Sequence, residues 1–238
     1  MPPRSQRRAP PNRVQSLLIA TGSLSPVRRT ISRSGLLGAA NYDLEIDVLF
    51  VCTGNICRSP MAEVLLRARL NDLGEDVGVK SAGLLFDGAP AEPNAIAAMA
   101  EQGLDLNSHS SQKISSELVG STSLVLGMER RHVRSCAELV PESFSWGFTL
   151  PEFVNLASSH GPRPHGESLR DWARQLGSAR KPTSYLFDDP ATTVADPMGH
   201  NLRRFRACAK EISDLMDQLI ELAWPNISSS NAATTMEK

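Results

Sequence analysis

The sequence predicts an α/β fold, a four-stranded parallel sheet flanked by helices. Three observations lead there. Residues 46–51 read Ile-Asp-Val-Leu-Phe-Val, the near-continuous apolar, β-branched run of a strand covered on both faces. Three further strand-like runs follow, each separated from the next by a helical pattern, the order that gives βαβ units and a parallel sheet. The chain has 238 residues and is 41% hydrophobic and 21% charged, enough for a sizeable core and unlike a wholly disordered chain.

The elements follow in order. After the first strand comes a loop, then a helix expected to open at Pro60 and to run to about Leu73; proline suits a first helical position, where a missing N–H is harmless. Residues 77–82 form the second strand. Residues 93–102 form a helix ended by Gly103. Residues 123–127 are the third strand, followed by a helix over 129–139. Residues 148–150 make a short fourth strand and 151–157 a short helix. Residues 158–166 hold two prolines and two glycines and read as loop, and 167–176 as helix. Residues 181–196 are irregular. Over 201–223, Phe205, Ile212, Leu215, Leu219 and Leu222 recur at helical spacing, a long amphipathic helix.

The formal net charge of -1 conceals two unlike regions. Residues 1–42 contain seven arginines, five prolines, six serines and no acid, leaving the rest of the chain with 18 Lys and Arg against 26 Asp and Glu, a net charge of -8. The expected organisation is a basic, disordered extension over 1–43, a folded body over 44–224 and a polar tail over 225–238. A transit peptide and an arm for nucleic acid or anionic membrane remain competing readings of the extension. No apolar stretch approaches the ~18–20 residues of a membrane span. Four cysteines in so long a chain suit a reducing compartment, and a cytoplasmic location is expected. Cys136 and Cys208 are isolated and read as packed thiols, and no Cys or His pair has zinc-ligand spacing.

The chemistry lies in the loop after the first strand: Cys52, Thr53, Gly54, Asn55, Ile56, Cys57, Arg58, Ser59 and Pro60. A loop between a strand's carboxyl end and a helix's amino end presents backbone N–H groups and a positive dipole to an anion. Gly54 and Asn55 tolerate the left-handed backbone such a nest needs. Positive potential favours the thiolate of Cys52, the nucleophilic form. Arg58 can fork onto two phosphate oxygens, and Ser59 can donate to the thiolate. A lone cysteine would read as a small buried residue; Cys-x5-Arg-Ser between strand and helix reads as a phosphate-binding loop.

The stretch Val-Leu-Phe-Val-Cys-Thr-Gly-Asn-Ile-Cys-Arg-Ser-Pro-Met-Ala-Glu, Val48 to Glu63, closely resembles the signature of low-molecular-weight protein tyrosine phosphatases. Ser81-Ala82-Gly83, the segment Ser108-His109 with Ser111 to Ile114, the turn Leu126-Gly127-Met128-Glu129, and Val194-Ala195-Asp196-Pro197 resemble further family segments in order, over residues 44–224. The resemblance implies a four-stranded parallel sheet and a phosphomonoesterase without cofactor or metal. Cys52 would attack phosphorus to form a phosphocysteine. Residues 53 to 59 would hold the phosphate, Arg58 stabilising the transition state. Asp196 would protonate the leaving group and then activate water; taken alone, its Asp-Pro pair reads only as a turn starter. Ser59, Ser81 and His109, with Asn55, would form a buried polar network supporting the loop. Cys57 is either a packed thiol or, as in the family, the partner of a protective Cys52–Cys57 disulfide.

The implied partner is a phosphotyrosine protein or small aryl phosphate, with a tyrosine autokinase among the possible proteins; no nucleic acid is expected. Two features depart from the family pattern. Met198 replaces a common aromatic residue after Asp196-Pro197, and only Phe86 is available where a Trp or Tyr is common. The spacing from Cys52 to Asp196 is also longer than usual. The extra residues are placed in 158–190, where Arg170 and Trp172 either border the site or, as preferred here, pack a helix. Two rival functions remain: an arsenate reductase of the same fold coupled to a low-molecular-weight thiol, and a phosphotyrosine-binding regulator without catalysis.

Overall fold

The computed structural model describes residues 46–225. The expectations for the basic extension, and for the tail beyond residue 225, lie outside the described residues.

Four parallel strands form one sheet in the order β2-β1-β3-β4: β1 Val48–Cys52, β2 Val79–Gly83, β3 Leu124–Gly127 and β4 Gly147–Thr149. Every residue of β1 is buried, as its apolar run requires of a central strand. Among the described residues the α-helices are α1 Arg58–Asp72, α2 Pro93–Ala100, α3 Ser116–Ser121, α4 Arg130–Leu139, α5 Leu150–His160, α6 Leu169–Gly177 and α7 Leu202–Ala223. The long helix α7 packs on α1, α2 and α5, burying Phe205, Ile212, Met216 and Leu219, while α4 covers β3 and β4. No helix among the described residues is long and apolar enough to cross a membrane.

The four strands and the expected helices occur in the order of the sequence reading; the differences are shifted boundaries and one added helix. β1 begins and ends later than expected, so Cys52 is the last residue of the strand and not a loop residue. α1 starts at Arg58, which places Pro60 third in the helix. That position still belongs to the first four N–H groups, none of which has an intrahelical acceptor. Leu150 opens α5 instead of closing β4, and α5 continues to His160 through residues expected to be loop. Helix α3 was not foreseen. It is six residues long, contains Gly120 and has only Val119 buried, too short to display a period. Ser115 caps it by accepting from the Leu118 N–H. Trp172 and Arg170 serve packing. Trp172 is fully buried edge-on to Phe153, and Arg170 stacks over Trp146 while donating to Gly120 and Thr122 carbonyls.

Candidate active site

Cys52 ends the central strand, and the chain then turns through residues 53–57 into α1. Asn55 sits at a φ of 52°, the left-handed conformation expected for the nest. Its side chain is fully buried and fully used. Nδ2 donates to Ser59 Oγ at 2.9 Å and to Ser81 Oγ at 2.8 Å, and Oδ1 accepts from Gln112 N–H at 2.9 Å. His109 Nε2 lies 2.6 Å from the Asn55 carbonyl, where it can only donate. Ser81 in turn donates to Glu63. Gly83 is required by contact: a Cβ there would stand 2.7 Å from Asn55 N. The residues expected to prop the loop are thus brought together behind it.

The thiol of Cys52 accepts two hydrogen bonds, from Asn55 N–H at 3.2 Å and from Ser59 Oγ–H at 3.0 Å. Cys57 is buried at the helix start, and burial, with the nearby Cys52, raises its pKa well above the usual thiol range.

Arg58 is 1% exposed and ties the loop to the far side of the site. Its Nη1 donates to Glu129 Oε1 at 2.5 Å and to the Val194 carbonyl at 3.0 Å; its Nη2 donates to Asp196 Oδ2 at 2.7 Å. Its Nε is buried and has no partner among the described residues, a donor that a phosphate oxygen would satisfy. Asp196 is therefore carried to the phosphate loop across 138 positions of sequence. Val194 N–H donates to the Met128 carbonyl and so fastens the same loop to the end of β3.

Three residues at this site had no role in the sequence reading: Glu129, Arg131 and His132. Burial opposes the charge of Glu129, but hydrogen bonds and charge from Arg58, joined by Arg131, hold its carboxyl below the ordinary range. His132 is fully buried, and burial with the neighbouring Arg58 pushes its pKa down to about 3. A signal was present: Glu-x-x-His at a helix start has the spacing of a reciprocal cap, with His where Glu or Gln usually stands.

The mouth differs in character. A cavity of about 230 Å³ opens over Cys52 and Arg58, walled by Ile56, Leu85, Phe86 and Met198 with Asp196 at its side. Phe86 lies against Gly54, where a Cβ would meet its ring at 3.1 Å. No group of three or more residues suited to a metal ion occurs among the described residues.

The family model for low molecular weight phosphotyrosine protein phosphatases matches residues 47–175. The chain belongs to this family. It is a cysteine-dependent phosphatase by that membership. Over 127 residues it is 40% identical to a protein-arginine-phosphatase of Bacillus subtilis (strain 168), covering 52% of this chain and 83% of the relative. Over 97 residues it is 43% identical to the low molecular weight protein-tyrosine-phosphatase Wzb of Escherichia coli (strain K12), covering 40% of this chain and 63% of that one. Among solved structures, a low molecular weight protein tyrosine phosphatase from T. tengcongensis aligns with a TM-score of 0.56 at 32% identity, covering 74% of this chain and 98% of that one. The family match ends before Asp196, so the loop that carries it is characterised by its contact with Arg58.

Proposed function

We propose that the phosphatase hydrolyses aryl phosphate monoesters, protein phosphotyrosine above all, through a phosphocysteine on Cys52. The observation that carries this reading is the thiol of Cys52, hydrogen-bonded by Asn55 and Ser59 beneath a mouth walled by apolar side chains. In the proposed reaction the Cys52 sulfur attacks phosphorus in line, and the P–O bond to the phenol breaks. Asp196 gives its proton to the departing oxygen. Arg58 and the N–H groups of residues 53 to 59 hold the equatorial oxygens. Water then attacks the phosphocysteine, Asp196 takes its proton, and inorganic phosphate leaves.

Cys57 is proposed to protect the nucleophile. Peroxide would oxidise Cys52 to a sulfenic acid, and the Cys57 thiol would condense with it, releasing water and forming a disulfide that dithiothreitol reverses. A phosphotyrosine protein, a tyrosine autokinase among them, is the proposed partner. A cytoplasmic location is proposed on the four free cysteines.

A second reading, dephosphorylation of protein phosphoarginine, is favoured by the match to a protein-arginine-phosphatase that covers most of that relative. The mouth argues for the aromatic ring instead: Ile56, Leu85, Phe86 and Met198 give apolar contact, and Asp196, the acid lining this cavity, is already engaged by Arg58.

A panel of p-nitrophenyl phosphate, phosphotyrosine and phosphoarginine peptides decides between them. Wild-type enzyme should turn over both aryl phosphates, and Cys52→Ser should abolish turnover. Asp196→Ala should lower kcat on phosphotyrosine roughly 10²–10⁴-fold, and less on p-nitrophenyl phosphate, whose leaving group needs less protonation. Exclusive turnover of the phosphoarginine peptide would establish the second reading. Binding without turnover would identify a regulator. Arsenate-dependent NADPH oxidation with a coupled thiol, in the absence of phosphatase activity, would identify a reductase.

A further inference from the structure

The start of α4 grips the phosphate loop at both ends. At the far end Glu129 receives Arg58; at the near end His132 Nε2 lies 3.1 Å from Thr53 Oγ1, and Arg131 Nη2 donates to the same oxygen at 2.9 Å. We propose that His132 is a positioning residue of the phosphatase, a neutral imidazole that transmits the fixed geometry of the α4 amino terminus to Thr53 and, through it, to the nucleophile next in sequence. The proposal rests on the phosphatase reading above.

The hydrogen bonds define the tautomer. The backbone N–H of Glu129 donates to His132 Nδ1 at 3.0 Å. A ring nitrogen that accepts carries no proton, so in the neutral ring the proton sits on Nε2 and is donated to Thr53 Oγ1. Burial and the surrounding arginines keep the ring neutral, with its pKa pushed down to about 3. The approach is tight by construction. A Cβ on Gly127 would stand 3.0 Å from His132 Cβ, so the bare glycine at the end of β3 lets the ring reach the loop. Gly127 is also the β3 partner of Val51, the residue before the nucleophile. The path from helix cap to Cys52 is thus short, running from the buried His132 through the half-buried Thr53. The competing account is that His132 serves only as a helix cap.

Two substitutions separate these accounts. Asparagine places its carbonyl oxygen near the position of Nδ1 and keeps the cap, but it is too short to reach Thr53. Glutamine places its amide nitrogen near Nε2 and keeps the donor to Thr53. Steady-state hydrolysis of p-nitrophenyl phosphate, inhibition by inorganic phosphate and the melting temperature are measured for each. Misplacement of a catalytic loop by 1 Å can lower rate by about 10²-fold; His132→Asn should lower kcat/KM and phosphate affinity by roughly tenfold, and His132→Gln should recover most of both. Thr53→Val, which leaves α4 intact, should show a loss similar to His132→Asn. Combining the two should add less than about twofold to the loss from Thr53→Val, which already removes the His132 contact along with that of Arg131.

The reverse order, with Asn active and Gln impaired, would establish capping alone and overturn the proposal. Full activity of Thr53→Val, or additive losses in the double variant, would also overturn it, even if neither His132 variant folds. Absence of turnover by the wild type would overturn the phosphatase reading first; any of these outcomes with an active wild type overturns the positioning role alone.

Discussion

The cradle and the mouth of this site are built on opposite principles. In the cradle, Asn55, Arg58, Ser59 and Ser81 are at most 1% exposed; Asn55 ties Ser59 and Ser81 together behind the loop, and Arg58 reaches Glu129, Val194 and Asp196. At the mouth, Leu85, Phe86 and Met198 are 55%, 44% and 45% exposed and present apolar surface to the cavity. Charge develops on the phosphoryl group, and donors fixed before it arrives need no reorganisation when it does. On the proposed reading, the part of the substrate beyond the phosphate would be met by exposed side chains, which can vary with little effect on the fold. Substitutions in the cradle should therefore strike rate and stability together, whereas those at the mouth should change substrate preference.

Arg58→Lys should break the cradle most severely while retaining its charge. The guanidinium engages Glu129, Val194 and Asp196 at once, which the single ammonium group of lysine cannot reproduce in the same geometry. A loss of roughly 10²–10³-fold in kcat is expected, the scale of removing a preorganised donor at a developing charge. The melting temperature should fall as well, since Glu129 would lose its main partner. Near-wild-type turnover by this variant would mean that the fork geometry is unimportant.

Acid should separate the two regions without any loss of catalytic groups. The native fold holds the pKa of His132 near 3, against an ordinary value of 6.5. Below about 6.5 the unfolded chain takes up a proton that the native imidazole refuses, so stability is full above that pH and falls as pH drops toward about 3. Glu129, whose carboxyl is held low, adds a further loss below the ordinary carboxylate range. Melting temperatures measured from neutral pH down to about 4 should decline less steeply in His132→Gln than in the wild type. Phe86→Ala, at the mouth, should parallel the wild type. Parallel curves for all three proteins would show that His132 carries none of the acid sensitivity.

What could be read from the sequence follows the same division between local and distant contact. The strand, the nest and the helix start around Cys52 are encoded within a dozen consecutive residues, so periodicity and residue type were enough to propose them. The network of Asn55, Ser59, Ser81 and His109 was expected only through family resemblance, since its members meet by folding. Glu129 and His132 were missed because their partners lie 71 and 79 positions away. Nothing within the first turn of α4 says that its acid and its histidine will face a phosphate loop rather than solvent. The unforeseen helix α3 failed for the opposite reason: it is local, but too short for its pattern to be seen.

The smallest effect is expected at the mouth, and it bears most directly on substrate choice. Met198 and Phe86 both line the cavity wall. A tyrosine at position 198 would offer a second ring to the phenyl group of the substrate. Paired aromatic contacts contribute about 0.5–1.5 kcal/mol, so Met198→Tyr should lower KM for a phosphotyrosine peptide roughly two- to tenfold. Because the gain lies in contact with a ring distant from the reacting bond, substrate and transition state should benefit alike, and kcat should hold steady. An alkyl phosphate, lacking the ring, should gain nothing. An equal fall in KM for alkyl and aryl phosphates, or a change in kcat of the same size, would show that residue 198 acts through the acid loop and Asp196 and not as a wall of the mouth.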